Sequence, residues 1–154
     1  MIYLAETKIC IPLFDPDRLI ANLKRQVEVY PPELKQRVIV DSLWSAEFTL
    51  LYAHNYASQG DIYNTTGCLA RVVSYLTQAL FALNERYFLS DKKVMETIAA
   101  FPNLPADYIQ RVESLLSCPG WTAEELTRTV NDLDLTWRSV VALTGELYQP
   151  KFSV

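Results

Sequence analysis

Histidine is almost missing from this chain of 154 residues: His54 is the only one. That scarcity removes most histidine-based acid–base catalysis and histidine-rich metal chemistry. Glycine is scarce too. The four glycines stand apart at positions 60, 67, 120 and 145, so no glycine loop exists to cradle a phosphate. The three cysteines, Cys10, Cys68 and Cys118, are odd in number, widely spaced and without a CxxC pair. They suit a reducing cytosol and exclude a cysteine-rich zinc site. Basic charge is in deficit: the net charge is −4, and the longest runs of Lys or Arg are the pairs Lys24-Arg25 and Lys92-Lys93. A dedicated nucleic-acid surface is therefore not expected. No charged leader with an apolar core opens the chain, and no apolar run approaches the ~18 residues of a membrane span. The expectation is a soluble, cytoplasmic protein with neither nucleic acid nor membrane as partner.

What is present is a globular composition, half hydrophobic and one fifth charged, at the length of one ordinary domain. Its most distinctive segment is IYNTTGCLARVVSYLTQALFALN, residues 62–84, which carries a single charge, Arg71. At 100° per residue, Ile62, Thr65, Leu69, Val72, Val73, Leu76, Leu80 and Leu83 share one stripe, while Tyr63, Tyr75 and Phe81 flank the opposite side. Such a helix belongs inside a bundle or against a partner. A guanidinium there needs a carboxylate, a phosphate or water, because an unpaired buried charge is too costly to keep. Arg71 is thus either a structural or rim arginine, paired with Glu47 or Glu146, or the lining of a groove for an anionic or polar ligand.

The remaining chain reads as helices with one exception. Residues 1–14 alternate loosely and predict a short strand or extended arm with no partner strand elsewhere, a liability unless another domain or chain pairs with it. Asp15-Pro16 opens a first helix to about Val29. Tyr30-Pro31-Pro32 stops it and starts a second, roughly Pro32 to Ser58. Gly60 ends that helix and Asp61 caps the third. Ser90 or Asp91 begins a short fourth helix to about Ala100, and Pro105 to Ser117 is a fifth. Thr122 and Glu125 form a capping box for a long sixth helix to about Leu147, with Leu126, Val130, Leu133, Trp137, Val140 and Leu147 on one stripe. Residues 149–154 read as a frayed tail. Three long helices with short connections predict an all-α, antiparallel up-and-down bundle of about six helices. The second helix has two apolar sides, Val40, Trp44, Phe48 and Leu51 on one, and Ile39, Leu43 and Leu50 on the other. One should face the bundle. The other, together with Leu135, predicts a homodimer.

Few motifs carry chemistry. Asp132 and Asp134 point about 200° apart on a helix and cannot chelate one metal together. Glu124-Glu125 and Asp15 with Asp17 suit helix starts. Glu47 lies two turns before His54 on the same face of the second helix, where a carboxylate could serve as general base toward a hydroxyl substrate, or simply be exposed or salt-bridged. Asn84 sits where its amide can bond the free carbonyls ending the third helix. Lys92, in the first turn of the fourth helix, is mildly unfavourable against the helix dipole and hints at a counter-ion.

The run Gly60-Asp61, Gly67-Cys68-Leu69-Ala70-Arg71, Ala79 to Asn84, Tyr87 and Asp91-Lys92, preceded by Tyr30-Pro31 and Leu43-Trp44, resembles the helical C-terminal region of bacterial nucleotidyltransferase-domain proteins. These are relatives of the kanamycin-nucleotidyltransferase C-terminal, substrate-binding domain. Gln59 stands where that pattern has Arg, and Ser90-Asp91 where Asn-Glu is usual. The resemblance spans about residues 10–147. It implies a bundle at 15–148 that packs beside a mixed-sheet catalytic domain and helps build the acceptor pocket, with residues 1–14 as arm or linker from that missing domain. In such enzymes the catalytic domain holds magnesium on an Asp-x-Asp pair after a Gly-Ser turn. Asp15-Pro16-Asp17 and Asp132-Leu133-Asp134 match the spacing but follow no such turn.

What the resemblance implies is therefore an accessory domain, inactive alone and binding no cofactor by itself. Magnesium and a nucleoside triphosphate come only with a catalytic domain, in cis or in trans. Arg71, Asn84 and Lys92 are carried over as a polar pocket, Tyr87 as its wall, and Glu47, by a looser analogy, as the base. Two other readings stay open: a helical interaction module, such as one partner of a toxin–antitoxin pair, and a free-standing small-molecule-binding bundle. A HEPN-type ribonuclease is disfavoured, since His54 lacks an Arg four to six residues before it.

Overall fold

A computed structural model describes residues 2–152. It is all-helical, with seven helices and no strand among the described residues: α1 (Ile2–Ile9), α2 (Leu19–Gln26), α3 (Pro32–Ser58), α4 (Ile62–Leu83), α5 (Val94–Ala99), α6 (Tyr108–Ser117) and α7 (Ala123–Ala142). The all-α bundle expected from the apolar periodicity is what forms.

The axis of the fold is the antiparallel pair α3 and α4. Pro32 at the first helical position starts α3 with φ already set, and Gly60, at φ 71°, ends it in the left-handed region that favours glycine. Asp61 then caps α4 by accepting the Asn64 N–H at 3.0 Å. The two helices share a dense interface in which Ile39, Leu43, Ala46, Leu50 and Ala53 of α3 meet Leu69, Val72, Leu76 and Leu80 of α4, all fully buried. Burying each large apolar side chain contributes about 1.5–3 kcal/mol before chain entropy is charged against it. Alanines at 46, 53 and 57 let the α3 backbone lie close to its neighbours.

The outer helix α7 lies mainly on α3. It begins on the expected capping box: Thr122 accepts the Glu125 N–H at 3.2 Å, and Glu125 in return accepts the Thr122 N–H at 3.1 Å. Leu126, Val130, Leu133, Trp137 and Val140 are buried, and the Trp137 indole N–H donates to the Leu43 carbonyl at 3.3 Å. Of the two apolar sides of α3, Ile39, Leu43 and Leu50 enter this core, whereas Trp44 and Phe48 stay at the surface.

By length and composition α4 could cross a membrane, but 61% of its most apolar window is buried inside the bundle. It is the core helix here, compatible with a soluble protein.

Several expectations change. The strand reading of residues 1–14 does not hold, because Ile2–Ile9 is helix α1; residues 10–14, without regular structure, are what is left of the expected arm, and Met1 lies outside the described residues. Ile2, Ala5 and Ile9 recur at helical spacing, and a helix satisfies its own backbone groups where no neighbouring strand exists. Lys24 supports it by donating to the carbonyls of Lys8 and Cys10 at 2.8 and 2.6 Å, a cation at the C-terminal end of the helix. With no strand left unpaired, the inference that this segment completes a missing sheet loses its basis.

The helix expected over 15–29 is shorter, Leu19–Gln26. Asp15 caps it from across a turn, accepting the Ile20 and Ala21 N–H groups. Helix α5 starts at Val94, so Lys92 lies before it and not in its first turn. Helix α7 stops at Ala142. Leu147 is exposed, and Tyr148 takes the buried position instead. The tail is not frayed over residues 149–152, and residues 153–154 lie outside the described part.

Candidate functional site

Arg71 is exposed, and among the described residues no carboxylate pairs with it. Its Nε donates to the Gly67 carbonyl at 3.2 Å, one turn back on α4, and its Nη2 reaches the Cys68 Sγ at 3.5 Å. The side chain thus lies along its own helix, pinned at one end. Of the five N–H groups a guanidinium carries, these contacts use two, and the others have no acceptor among the described residues. Neither Glu47 nor Glu146 pairs with it.

Beside Arg71 runs a ladder of rings. Trp44, Phe48, Tyr52 and Tyr56 recur every four residues on α3, which places them on one face. Trp44 and Phe48 stack at 5.3 Å, Phe48 and Tyr52 meet edge-on at 5.2 Å, and Tyr52 tilts against Tyr56 at 6.4 Å. Tyr75 of α4 closes the other side. Phe48, Tyr52, Tyr56, Tyr75 and Arg71 line a groove of roughly 340 Å3. A second, wider recess of roughly 920 Å3 lies on the other flank of Arg71, against Tyr63 and Asn64. Arg71 therefore stands on a ridge between two recesses, and neither is lined by an acidic residue.

Glu47 is elsewhere. It is fully buried on the core side of α3, and both of its oxygens are occupied. The Tyr148 hydroxyl donates to Oε2 in a short hydrogen bond, the Lys151 N–H donates to Oε1 at 2.8 Å, and the Phe152 N–H donates to Oε1 at 2.7 Å. A carboxylate without a cation is tolerated there because three donors replace its water. Burial, and then the Glu47 carboxylate, push the Tyr148 hydroxyl far above the ordinary tyrosine value. This clasp holds residues 148–152 across α3 and brings the Phe152 ring within 6.3 Å of the Phe48 ring, an inner member of the ring ladder. The placement leaves no open face from which Glu47 could take a proton from a substrate hydroxyl. Glu47 is a positioning group for the tail.

Asn84 is likewise saturated. Its amide donates to the carbonyls of Leu80 and Asn103, at 2.8 and 3.0 Å, and its oxygen accepts the Asn103 N–H at 2.9 Å. It ties the end of α4 to the loop before α6. Tyr87 stacks on Tyr30 with ring centroids 4.7 Å apart, under the Lys8 ammonium at 5.6 Å. Burial, then the neighbouring Tyr87, raises the Tyr30 hydroxyl to about 12. Tyr87 does wall a cleft of roughly 490 Å3 between α1 and the C-terminal end of α4, floored by Phe81, Leu89 and Phe101. Lys92 is exposed in the turn before α5 and lines neither this cleft nor the Arg71 groove. The five expected residues thus do not converge: Arg71, Tyr87 and Glu47 belong to three separate environments.

Sequence reasoning missed the ring ladder as a surface, because apolar residues at that spacing read equally well as core. It also missed a half-buried pair. Burial lowers the His54 imidazole below its ordinary value, with Asp134 pulling the other way. His54 Nε2 and Asp134 Oδ1 are both buried without a hydrogen bond, although Asp134 Oδ2 accepts from Arg138 at 2.7 Å. Asp134 is therefore not the solvent-face residue expected of it.

Among the described residues, no three His, Cys, Asp or Glu side chains come together to hold a metal ion. The residues present do not fit the magnesium that the resemblance attaches to a catalytic half.

No curated protein and no solved structure matches the chain. One family model does: a domain of unknown function, DUF4037, over residues 4–92. That span covers most of α1 and all of α2 to α4 and includes the Arg71 ridge and the ring ladder, but not the tail that Glu47 holds. Since it takes in more than half of the 154 residues, the chain belongs to the DUF4037 family.

Proposed function

We propose that this chain is the substrate-binding, accessory helical domain of a nucleotidyltransferase system, inactive alone. The single observation that carries the reading is the Arg71 groove. A pinned guanidinium with free donors, facing Tyr52, Tyr56 and Tyr75, supplies few polar groups of fixed direction beside planar apolar faces, as small-molecule sites do. The resemblance of residues 60–92 to nucleotidyltransferase helical domains supplies the class. Nucleotidyl transfer needs metal-holding carboxylates that the described residues do not offer, so a catalytic domain in cis or in trans must bring them, together with magnesium and the nucleoside triphosphate.

The three free cysteines fit a reducing, cytoplasmic setting. The outer face of α3 around half-buried Val40 and exposed Trp44 is the surface we assign to a homodimer, and Leu135, 54% exposed beside α6, is the second apolar feature that reading draws on. Burying Trp44 there leaves the Arg71 end of the groove open.

The test uses the purified full chain with α-labelled ATP, magnesium and a panel of hydroxyl acceptors. No label transfer above background is expected. Metal-dependent transfer that survives repurification overturns the accessory reading. The alternative, an interaction module only, is favoured by the exposed rings of α3. Melting curves with small ligands separate the two: a rise in Tm that requires Arg71 belongs to a ligand-binding domain and not to a pure docking surface.

A further inference from the structure

We infer that the ligand of the Arg71 groove is an anion carried on a planar ring, and that a polycationic acceptor such as an aminoglycoside is excluded. This rests on the reading of the groove as an acceptor site and goes on to name the class it takes.

The charges around Arg71 are the first ground. The protein as a whole is acidic, with a net charge of −4, yet both recesses flanking Arg71 are free of Asp and Glu. A cationic acceptor needs carboxylates facing it. The one glutamate that could have served from α3, Glu47, is locked in the core by Tyr148 and two backbone N–H groups. A cation entering the groove would meet a guanidinium and no counter-charge.

The unspent donors are the second ground. Arg71 makes no ion pair among the described residues, and the N–H groups left over from its Gly67 and Cys68 contacts belong to a planar fork that matches carboxylate or phosphate. The hydroxyls of Tyr52, Tyr56 and Tyr75 make no hydrogen bond to the described residues either, so three neutral donors belong to residues that line the same groove as the guanidinium. Gly67 fixes the Nε end of Arg71, which lowers the entropy lost when an anion is bound.

The rings are the third ground. Phe48 and Tyr52 are 39% and 48% exposed, although aromatic faces of this size are normally covered. A flat ring laid on them recovers that area. An isolated phosphate would use Arg71 but leave the rings wet, so the ring and the anion together account for both features.

Phenyl phosphate is the minimal probe, with inorganic phosphate and phenol as its halves and kanamycin as the cationic contrast. Amide and Arg side-chain resonances of the full chain are followed by NMR titration at low salt. Phenyl phosphate is expected to shift Arg71, Tyr52 and Tyr75 resonances, with about tenfold weaker binding of either half. Arg71→Gln is expected to weaken phenyl phosphate about tenfold or more and to leave phenol unchanged, since phenol never used the charge. Arg71→Lys, which keeps the charge and loses the fork, falls between. Arg71 is a surface residue, and unchanged melting of both variants separates lost binding from lost folding.

Kanamycin shifting the same resonances, more tightly in Arg71→Gln, overturns the anion assignment while leaving the groove as an acceptor site. Equal affinity of inorganic phosphate and phenyl phosphate overturns the ring. Absence of any shift in the groove with every probe overturns the groove itself, and with it the reading it rests on.

Discussion

Glu47 shows how far a single side chain can differ from its pattern. Seven residues before His54 on one helix, it looks like an acid–base group waiting for a substrate. In the fold it is a fully buried acceptor for three donors from the tail. Glu47→Gln puts an amide NH2 against donors and is expected to cost about 1.5–3 kcal/mol, the scale of a hydrogen bond to a charged group. Tyr148→Phe removes one donor and is expected to cost about 1–2 kcal/mol. Urea unfolding measures both, and either variant near wild-type stability would remove the clasp as a stabilising feature. Pairings across about 100 residues of chain, such as Glu47 with Tyr148, carry no local periodicity, which is why they could not be read from the sequence.

His54 gives a prediction of opposite character. Burial holds its folded value below the ordinary 6.5. Between the two values the unfolded chain binds more protons, so stability is full above about 6.5 and falls as pH drops through it. His54→Gln should flatten that limb of the stability profile, and an unchanged slope in the variant contradicts the assignment. At the alkaline end the tyrosines act in reverse. Tyr30, raised from 10.0 to about 12, stays protonated in the fold when the unfolded chain has lost its proton, so stability declines above about 10.

At the scale of elements, the signals that held were chemical and local. Asp61 and the Thr122–Glu125 box cap the helices they were expected to cap, because a cap is a contact between residues three apart. Asp61→Ala is expected to lower stability by about 1 kcal/mol, measured by thermal melting. Gly120 is more constrained than its isolation in the sequence implied. It sits at φ 115°, and an added Cβ would come within 2.7 Å of the Glu125 Cβ, so Gly120→Ala must shift the start of α7. A cost of about 1–3 kcal/mol is expected for forcing that backbone. The element that misled is α1. Its loose alternation of apolar residues fits a strand over a few positions, and short apolar runs do not distinguish strand from helix. Lys24, which closes its end, lies sixteen residues away and leaves no mark in the local pattern. The starts of α2 and α5 moved for a related reason: the left-handed residues Arg18 and Lys93, which are not glycine, begin those helices later than the sequence shows.

For the whole molecule, the bundle was legible because the near-chargeless α4 has only one place to go in a fold of this size, the centre. What was not legible is which apolar faces stay outside. Ile39, Leu43 and Leu50 could be assigned to one side of α3 and Val40, Trp44 and Phe48 to the other, but only packing decides which side is covered. The open side is expected to make the chain a dimer at tens of micromolar. Light scattering that gives a monomer of 17.6 kDa at that concentration contradicts this. Arg71 illustrates the same limit: its isolation in sequence marked it, and only the fold showed that it is exposed, pinned and flanked by rings.

The most direct measurement of the central claim, an accessory domain that completes a nucleotidyltransferase, is label transfer from α-labelled ATP in three reactions. One holds the chain alone, one a nucleotidyltransferase catalytic domain that partners it, and one both. The account predicts acceptor labelling only with both, and a KM for acceptor raised about tenfold by Arg71→Gln with kcat little changed. Labelling by the chain alone, or labelling by the catalytic domain at a rate that the chain does not alter, contradicts it.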